Sequence, residues 1–205
     1  MPKKEFLSDT QPQTQLFTNV LASNQIKIKE LHDALPQLQC GRCNTPGCME
    51  YAQEMANGAP NNRCLPGGTN TLKKLNQILS KDTKSLDDNF GPTINEQILF
   101  IDEDVCIGCA KCIPKCPVDA IIGAPNKLHH IDSTTCTGCE LCVEPCPVDC
   151  IHIKEVAIEA TTKPRASSQE RYNAKRQRTK NSKKKLTLDT EKNLAIANLY
   201  KNLTH

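Results

Sequence analysis

Tryptophan is absent from this chain, and Phe and Tyr together make up only 3% of it. With 38% hydrophobic residues in all, an aromatic-rich core running through the whole 205 residues is excluded. The length suits one ordinary domain or two small ones, and small modules with thin cores commonly take bound metal as a staple. Long apolar runs are also missing. ILFI at 98–101 is among the longest, far short of the roughly 20 residues that cross a bilayer. The N-terminus, MPKKEFLSDTQPQTQ, has no apolar stretch behind its lysines, which excludes a secretory signal. These absences predict a soluble chain in a reducing cytoplasm, where cysteines bind metal more often than they pair. Neither a Gly-rich phosphate loop nor a dinucleotide fingerprint appears, which argues against a built-in flavin or nicotinamide site. No set of residues reads as a catalytic constellation, so whether the chain is itself an enzyme stays open.

What the chain does contain is 13 cysteines. CIGCAKCIPKCPVDAI begins at Cys106, and CTGCELCVEPCPVDCI repeats it from Cys136, at an offset of thirty. Over fifteen aligned positions eight are identical: four Cys, one Gly and the Pro-Val-Asp after the last Cys. Ile101-Asp102 also falls on Ile131-Asp132, so a short strand is expected before each cysteine loop. A duplication of this kind predicts two pseudosymmetric halves sharing one core.

The spacing Cys-x2-Cys-x2-Cys-x3-Cys-Pro is the bacterial run for [4Fe–4S] clusters, in which the fourth Cys serves the other cluster. That rule groups Cys106, Cys109, Cys112 and Cys146 around one cluster. It groups Cys116, Cys136, Cys139 and Cys142 around another. Cys150 stands where the first repeat has Ala120 and is read as core filling rather than as a ligand. His129 and His130, just before the second loop, are read as solvated strand-edge residues. His32, His152 and His205 are isolated in the sequence.

An earlier set, Cys40-x2-Cys43-x4-Cys48-x15-Cys64, has a different rhythm. By spacing alone zinc competes for it, although Gly41, Pro46-Gly47 and Pro66-Gly67-Gly68 suit a chain folded around something larger than one ion. Around this set the apolar spacing predicts a helix from Ser23 to Pro36 through Ile28, Leu31 and Leu35, then a short helix after Cys48. A third helix is expected through Leu72, Leu75 and Leu79. Residues 1–22 read as flexible and 81–96 as a linker.

Charge is uneven. Residues 151–205 hold 13 Lys and Arg against 5 Asp and Glu, a net of +8, while residues 1–150 hold the remaining 13 and 18, a net of −5. Residues 163–185 carry ten basic residues and one acid, Glu170. Ser167 and Glu170 have capping-box spacing for a charged helix. Ile196, Leu199, Tyr200 and Leu203 form a terminal apolar stripe. A solvated, partly disordered tail is one reading, and a docking element for an acidic partner or anionic membrane surface is another. A nucleic-acid-binding iron–sulfur protein with this arm on phosphate is the rival class, but Tyr172 is the arm's single aromatic, so stacking platforms are lacking. A structural zinc adaptor is a third class.

LPQLQCGRCNTPGCMEYA, NNRCLPGG and the two repeated runs, in that order, resemble the B subunit of Rnf-type electron transport complexes over roughly residues 25–155. The resemblance implies that Cys40, Cys43, Cys48 and Cys64 bind a further [4Fe–4S] cluster, giving three in all. Members of that family typically begin with a membrane-spanning helix, and this sequence departs from them in showing none. A form lacking that helix is therefore expected, cytoplasmic or peripheral on the cytoplasmic face of the inner membrane. Its implied role is relaying low-potential electrons to redox partners within a membrane assembly that couples ferredoxin and nicotinamide pools to ion movement. The expected fold is α+β: a small helical four-Cys domain over 23–80, a 2[4Fe–4S] ferredoxin-like domain over 97–155, and a basic, partly helical tail over 156–205.

Overall fold

The computed structural model describes residues 11–94, 96–155 and 167–203, with side chains over 22–94, 96–155 and 167–194. The chain divides into two compact units, Met1–Asn95 and Glu96–His205.

Among the described residues the first unit holds three α-helices: α1 (Gln11–Ala34), α2 (Cys48–Ala56) and α3 (Gly68–Leu79). Their apolar residues recur at helical spacing and meet in one core. Leu31, Leu35, Tyr51, Ala52, Met55 and Leu75 are all buried there. Burying a large aliphatic side chain contributes about 1.5–3 kcal/mol, so these few positions carry most of the unit's apolar stabilisation. The stripe Ile28, Leu31, Leu35 is the one expected, but α1 begins at Gln11 rather than Ser23. Leu16, Phe17, Val20 and Leu21 recur at helical spacing before Ser23, a period that reading residues 1–22 as polar and flexible passed over. Pro36 follows its end.

Residues expected to form a linker fold back onto this unit. Asn61 Nδ2 donates to Asn76 Oδ1 at 2.8 Å, and Asn76 Nδ2 donates to the Thr83 carbonyl at 2.9 Å. The Thr83 hydroxyl donates to Asn61 Oδ1 at 2.8 Å. Further on, the Asp87 amide donates to the Asn62 carbonyl at 3.0 Å. A polar composition reads as a loop, yet here it is the means of attachment.

In the second unit, β1 (Gln97–Ile101) pairs antiparallel with β4 (Ile151–Glu155), with Leu99 opposite Ile153 and Ile101 opposite Ile151. The two-residue strands β2 (Ile121–Ile122) and β3 (His130–Ile131) pair with Ile121 opposite Ile131. Each ladder thus joins a strand of one repeat to a strand of the other, or the end of one to the start of the next. Crossed hydrogen bonds repeat the pattern: the Asp102 amide donates to the Cys150 carbonyl and the Asp132 amide to the Ala120 carbonyl, both at 2.8 Å. Backbone torsions repeat as well. Left-handed residues fall at Ala110 and Glu140 (φ 57° and 64°) and at Asp119 and Asp149 (φ 54° and 49°). One core, with Leu99, Val118, Ala120, Ile121, Ile131 and Ile151, is shared by both repeats.

The final helix, α4 (Ser168–Leu203), belongs to the second unit. It starts beside Ser167, as the capping-box spacing suggests. Its first turns are not a solvated extension. Ser168 is fully buried, and Tyr172 is buried. Lys175 Nζ donates to the Ile113 carbonyl at 3.0 Å and to the Cys116 carbonyl. It also lies 3.3 Å from Asp119, and Arg178 pairs with that same carboxylate. From Lys180 to Leu194 the helix is exposed. Residues 1–10 and 156–166, and the side chains of the terminal stripe Ile196, Leu199, Tyr200 and Leu203, lie outside the described residues. Tyr172→Ala should loosen this docking by about 2 kcal/mol. Hydrogen exchange over 168–180 should then quicken while the β1–β4 amides keep their protection.

Among the described residues no helix is long and apolar enough to cross a membrane.

Candidate metal centres

Tight turns bring the thiols together. In the first unit Gln37, Gln39, Gly41 and Asn44 all adopt left-handed backbone, winding the chain sharply on either side of Cys40 and Cys43. The buried Gln39 side chain then accepts from the Cys48 amide at 2.9 Å, tying that loop to the start of α2. Tyr51 fastens the other side. Its hydroxyl donates to the Pro60 carbonyl at 2.9 Å and accepts from the Arg63 amide at 3.0 Å, just before Cys64. Cys40, Cys43, Cys48 and Cys64 consequently line one cavity, walled by Leu35, Pro36, Leu38, Tyr51 and Pro66.

The second unit has two such cavities. Cys106, Cys109, Cys112 and Cys146 line one, with Ile101, Ile107, Val148 and Ile151. Cys116, Cys136, Cys139 and Cys142 line the other, with Leu99, Val118, Ala120, Ile121 and Ile131. Each cavity takes three thiols from one cysteine loop and the fourth from the other repeat. None of the thirteen cysteines forms a disulfide.

Turn geometry explains the repeated glycine in each loop. Gly138 has φ +74°, and a Cβ there would sit 2.3 Å from the Gln97 carbonyl oxygen. Gly108, thirty residues earlier, has φ +67°, and its Cβ would meet the Lys127 carbonyl at 2.8 Å. Each loop therefore presses its backbone against the residue that leads into a strand.

Burial dominates the thiols' acidity. It pushes Cys48 up to about 12 and raises Cys40, Cys64, Cys112, Cys136 and Cys142. Burial also raises Cys150 to about 12, helped by the nearby Cys146 sulfur. At Cys146 burial acts in the same sense, but amides of Val148, Cys150 and Asp149 outweigh it and the thiol is lowered. Bare thiolates are thus disfavoured at most of these positions, and a strongly positive centre is what would hold them deprotonated. All-sulfur donors, four to a cavity, with apolar walls, fit an iron–sulfur cluster. Among the described residues no three Cys, His, Asp or Glu side chains converge on a single-ion position.

One residue stands differently from the sequence expectation. His130 is exposed and pairs with Glu103 at 3.3 Å, as an edge residue should. His129 does not: it is 2% exposed, and its Nδ1 lies 3.6 Å from both Cys106 Sγ and Cys112 Sγ. Leu128 and His130 are exposed while His129 and Ile131 are buried, an alternation that reaches back beyond the two residues of β3. Cys150 is buried, as filling should be, yet its sulfur is 3.5 Å from that of Cys146.

Comparison with known proteins agrees with the site chemistry. Residues 99–153 match the family described as "4Fe-4S dicluster domain", and residues 35–66 match one described as "Putative Fe-S cluster". Three relatives are named as the B subunit of an ion-translocating oxidoreductase complex. The protein of Alcanivorax borkumensis is 51% identical over 130 residues, covering 63% of this chain and 67% of its own length. That of Sodalis glossinidius is 48% identical over 136 residues, covering 66% and 72%. That of Hahella chejuensis is 49% identical over 104 residues, covering 51% and 53%. The chain thus spans from about half to nearly three quarters of these relatives, and the two family matches contain the cysteine motifs. With both iron–sulfur families present in this order and identity near one half, the chain belongs to the family of B subunits of Rnf-type ion-translocating oxidoreductase complexes.

Proposed function

We propose that this chain relays low-potential electrons through three [4Fe–4S] clusters. In this reading Cys40, Cys43, Cys48 and Cys64 hold the first. Cys106, Cys109, Cys112 and Cys146 hold the second, and Cys116, Cys136, Cys139 and Cys142 the third. The observation that carries the proposal is the sorting of twelve thiols into three separate cavities, four in each. A bound cluster supplies one-electron exchange, with no proton or atom transfer required of the protein.

The chain's own residues do the rest. Largely apolar walls keep water from most of the thiols. The Ala120 amide donates to Cys116 Sγ at 3.2 Å, and the Cys43 sulfur lies 3.0 Å from the Thr45 hydroxyl. Such contacts to sulfur are among the levers that set iron–sulfur potentials.

Charge then favours particular partners. Each oxidised cluster with its four thiolates adds about −2, so three would take the chain from +3 to about −3, with the negative charge concentrated in the body. Basic surfaces on redox proteins, including other subunits of a membrane electron transport complex, are the complementary partners. The exposed basic stretch of α4 is the complementary element for an acidic partner or an anionic membrane surface. Deleting residues 160–205 should weaken such docking, and unchanged partner binding and turnover would remove that role.

Iron and acid-labile sulfide quantified on anaerobically prepared protein test the main reading. About twelve iron atoms and low-potential cubane EPR signals are expected. About eight iron atoms with one zinc would return the Cys40 set to a structural metal. Nucleic-acid binding predicts a salt-dependent gel shift; no retardation at low salt is the expected result.

A further inference from the structure

The second unit is nearly symmetric in backbone but not in what touches its thiols. Aligned at the thirty-residue offset, His129 corresponds to Leu99, and Cys150 corresponds to Ala120. Both departures fall at the same cavity. His129 and Cys150 line the one containing Cys106, Cys109, Cys112 and Cys146, whereas Leu99 and Ala120 line its counterpart. One set of thiols has an imidazole and a spare thiol beside it where the other has two aliphatic groups, while Thr137 and Glu140 line the other cavity where the first repeat has Ile107 and Ala110.

The imidazole occupies a niche shaped for it. A Cβ on Gly123 would sit 2.3 Å from His129 Cδ2, so the backbone there leaves room for the ring only as glycine. The ring is buried with Nδ1 at 3.6 Å from two sulfurs, and Nε2 has no hydrogen-bond partner among the described residues. A buried polar ring with no other partner has its favourable contact at the sulfurs. Nδ1 can carry a proton in a neutral imidazole, and a hydrogen bond from it to thiolate withdraws negative charge from the sulfur.

We propose that His129 is a positioning residue that donates a hydrogen bond from Nδ1 to the Cys106 and Cys112 thiolates, raising the potential of this site above what the counterpart leucine would give it. The inference rests on the cluster reading given above. Reduction adds negative charge to the metal–sulfur set, and a donor aimed at that set stabilises the reduced form. Leu99 offers its own set no such donor. The imidazole thus makes this site hold an electron more readily than the counterpart leucine would allow.

His129→Leu, which installs the counterpart residue, tests this in the full-length, anaerobically loaded chain. EPR-monitored redox titration should show one couple moving to lower potential and the others unmoved. The expected size is about tenfold in the reduced-to-oxidised ratio at fixed potential, which is about 59 mV for one electron. Pulsed EPR on reduced wild-type protein with 15N-histidine should show one weak nitrogen coupling, lost in the variant. Unmoved potentials with iron content retained would overturn the proposal. So would the absence of any histidine nitrogen coupling in the wild type, or a strong coupling marking direct ligation, and these need no variant to fold. Iron content reports separately on the cluster reading: a wild type that carries about twelve irons but fails these tests overturns the role of His129 alone.

Discussion

Cys116→Ala is expected to remove about four iron atoms while leaving intact the EPR signal of the site lined by Cys106, Cys109 and Cys112. Cys116 lies in the same cysteine run as those three, yet its sulfur lines the cavity of Cys136, Cys139 and Cys142. Cys146→Ala should do the reverse, abolishing the signal that responds to His129 and sparing its neighbour. The cause is the crossed path of the chain. After each last cysteine the Pro-Val-Asp segment leads to Ala120 or Cys150, whose carbonyls accept from Asp132 and Asp102 at 2.8 Å. That crossing carries the fourth thiol to the neighbouring cavity. If Cys116→Ala instead extinguished the Cys106 site and spared the other, the crossed grouping would be wrong. Iron analysis with EPR on both variants separates the outcomes.

Gly138→Ala is expected to be among the most damaging single substitutions outside the cysteines. Two costs coincide at this position. A left-handed backbone costs a non-glycine residue about 1–2 kcal/mol. Overpacking of a well-filled region adds about 1–3 kcal/mol, and here the added atom would meet a backbone oxygen at 2.3 Å, not a movable side-chain tip. The Gln97 carbonyl cannot retreat freely, because Gln97 opens β1 and pairs opposite Glu155. Its side chain also donates to the Gly138 carbonyl at 3.2 Å. Relief would require shifting the strand, and with it the wall of the cavity. A loss of about 3 kcal/mol or more in stability, with reduced iron loading of the Cys136 site, is the expected result. Chemical denaturation and iron content measured on the same preparation check it. A variant as stable as wild type would show that the loop can back away from β1.

Much of the site was legible because metal ligation is a local matter of spacing. Three cysteines at three-residue steps can face one centre without knowledge of the rest of the chain. The thirty-residue repeat then carried the same geometry to a second loop, down to the left-handed residues at matching positions. Apolar spacing likewise located the packed part of α1, α2 and α3, since a helix buries residues that recur every three or four positions.

Other features depended on contacts between residues far apart in sequence. His129 and His130 are identical neighbours, yet one is buried beside the thiols and the other is exposed to solvent. The stretch around Thr83 looked like a linker because its polar residues show no period, yet Asn61 and Asn76 bind it. The basic tail looked solvated because ten positive charges dominate its composition. Its attachment depends on Tyr172, Lys175 and Arg178 meeting a surface formed by residues 113–119. By itself the sequence determined which three sulfurs of each repeated run could share a centre, because ligand spacing is a short-range constraint on a flexible loop. Only the tertiary structure decided which polar groups face those sulfurs and where the charged helix rests, because both depend on long-range packing that no local period encodes.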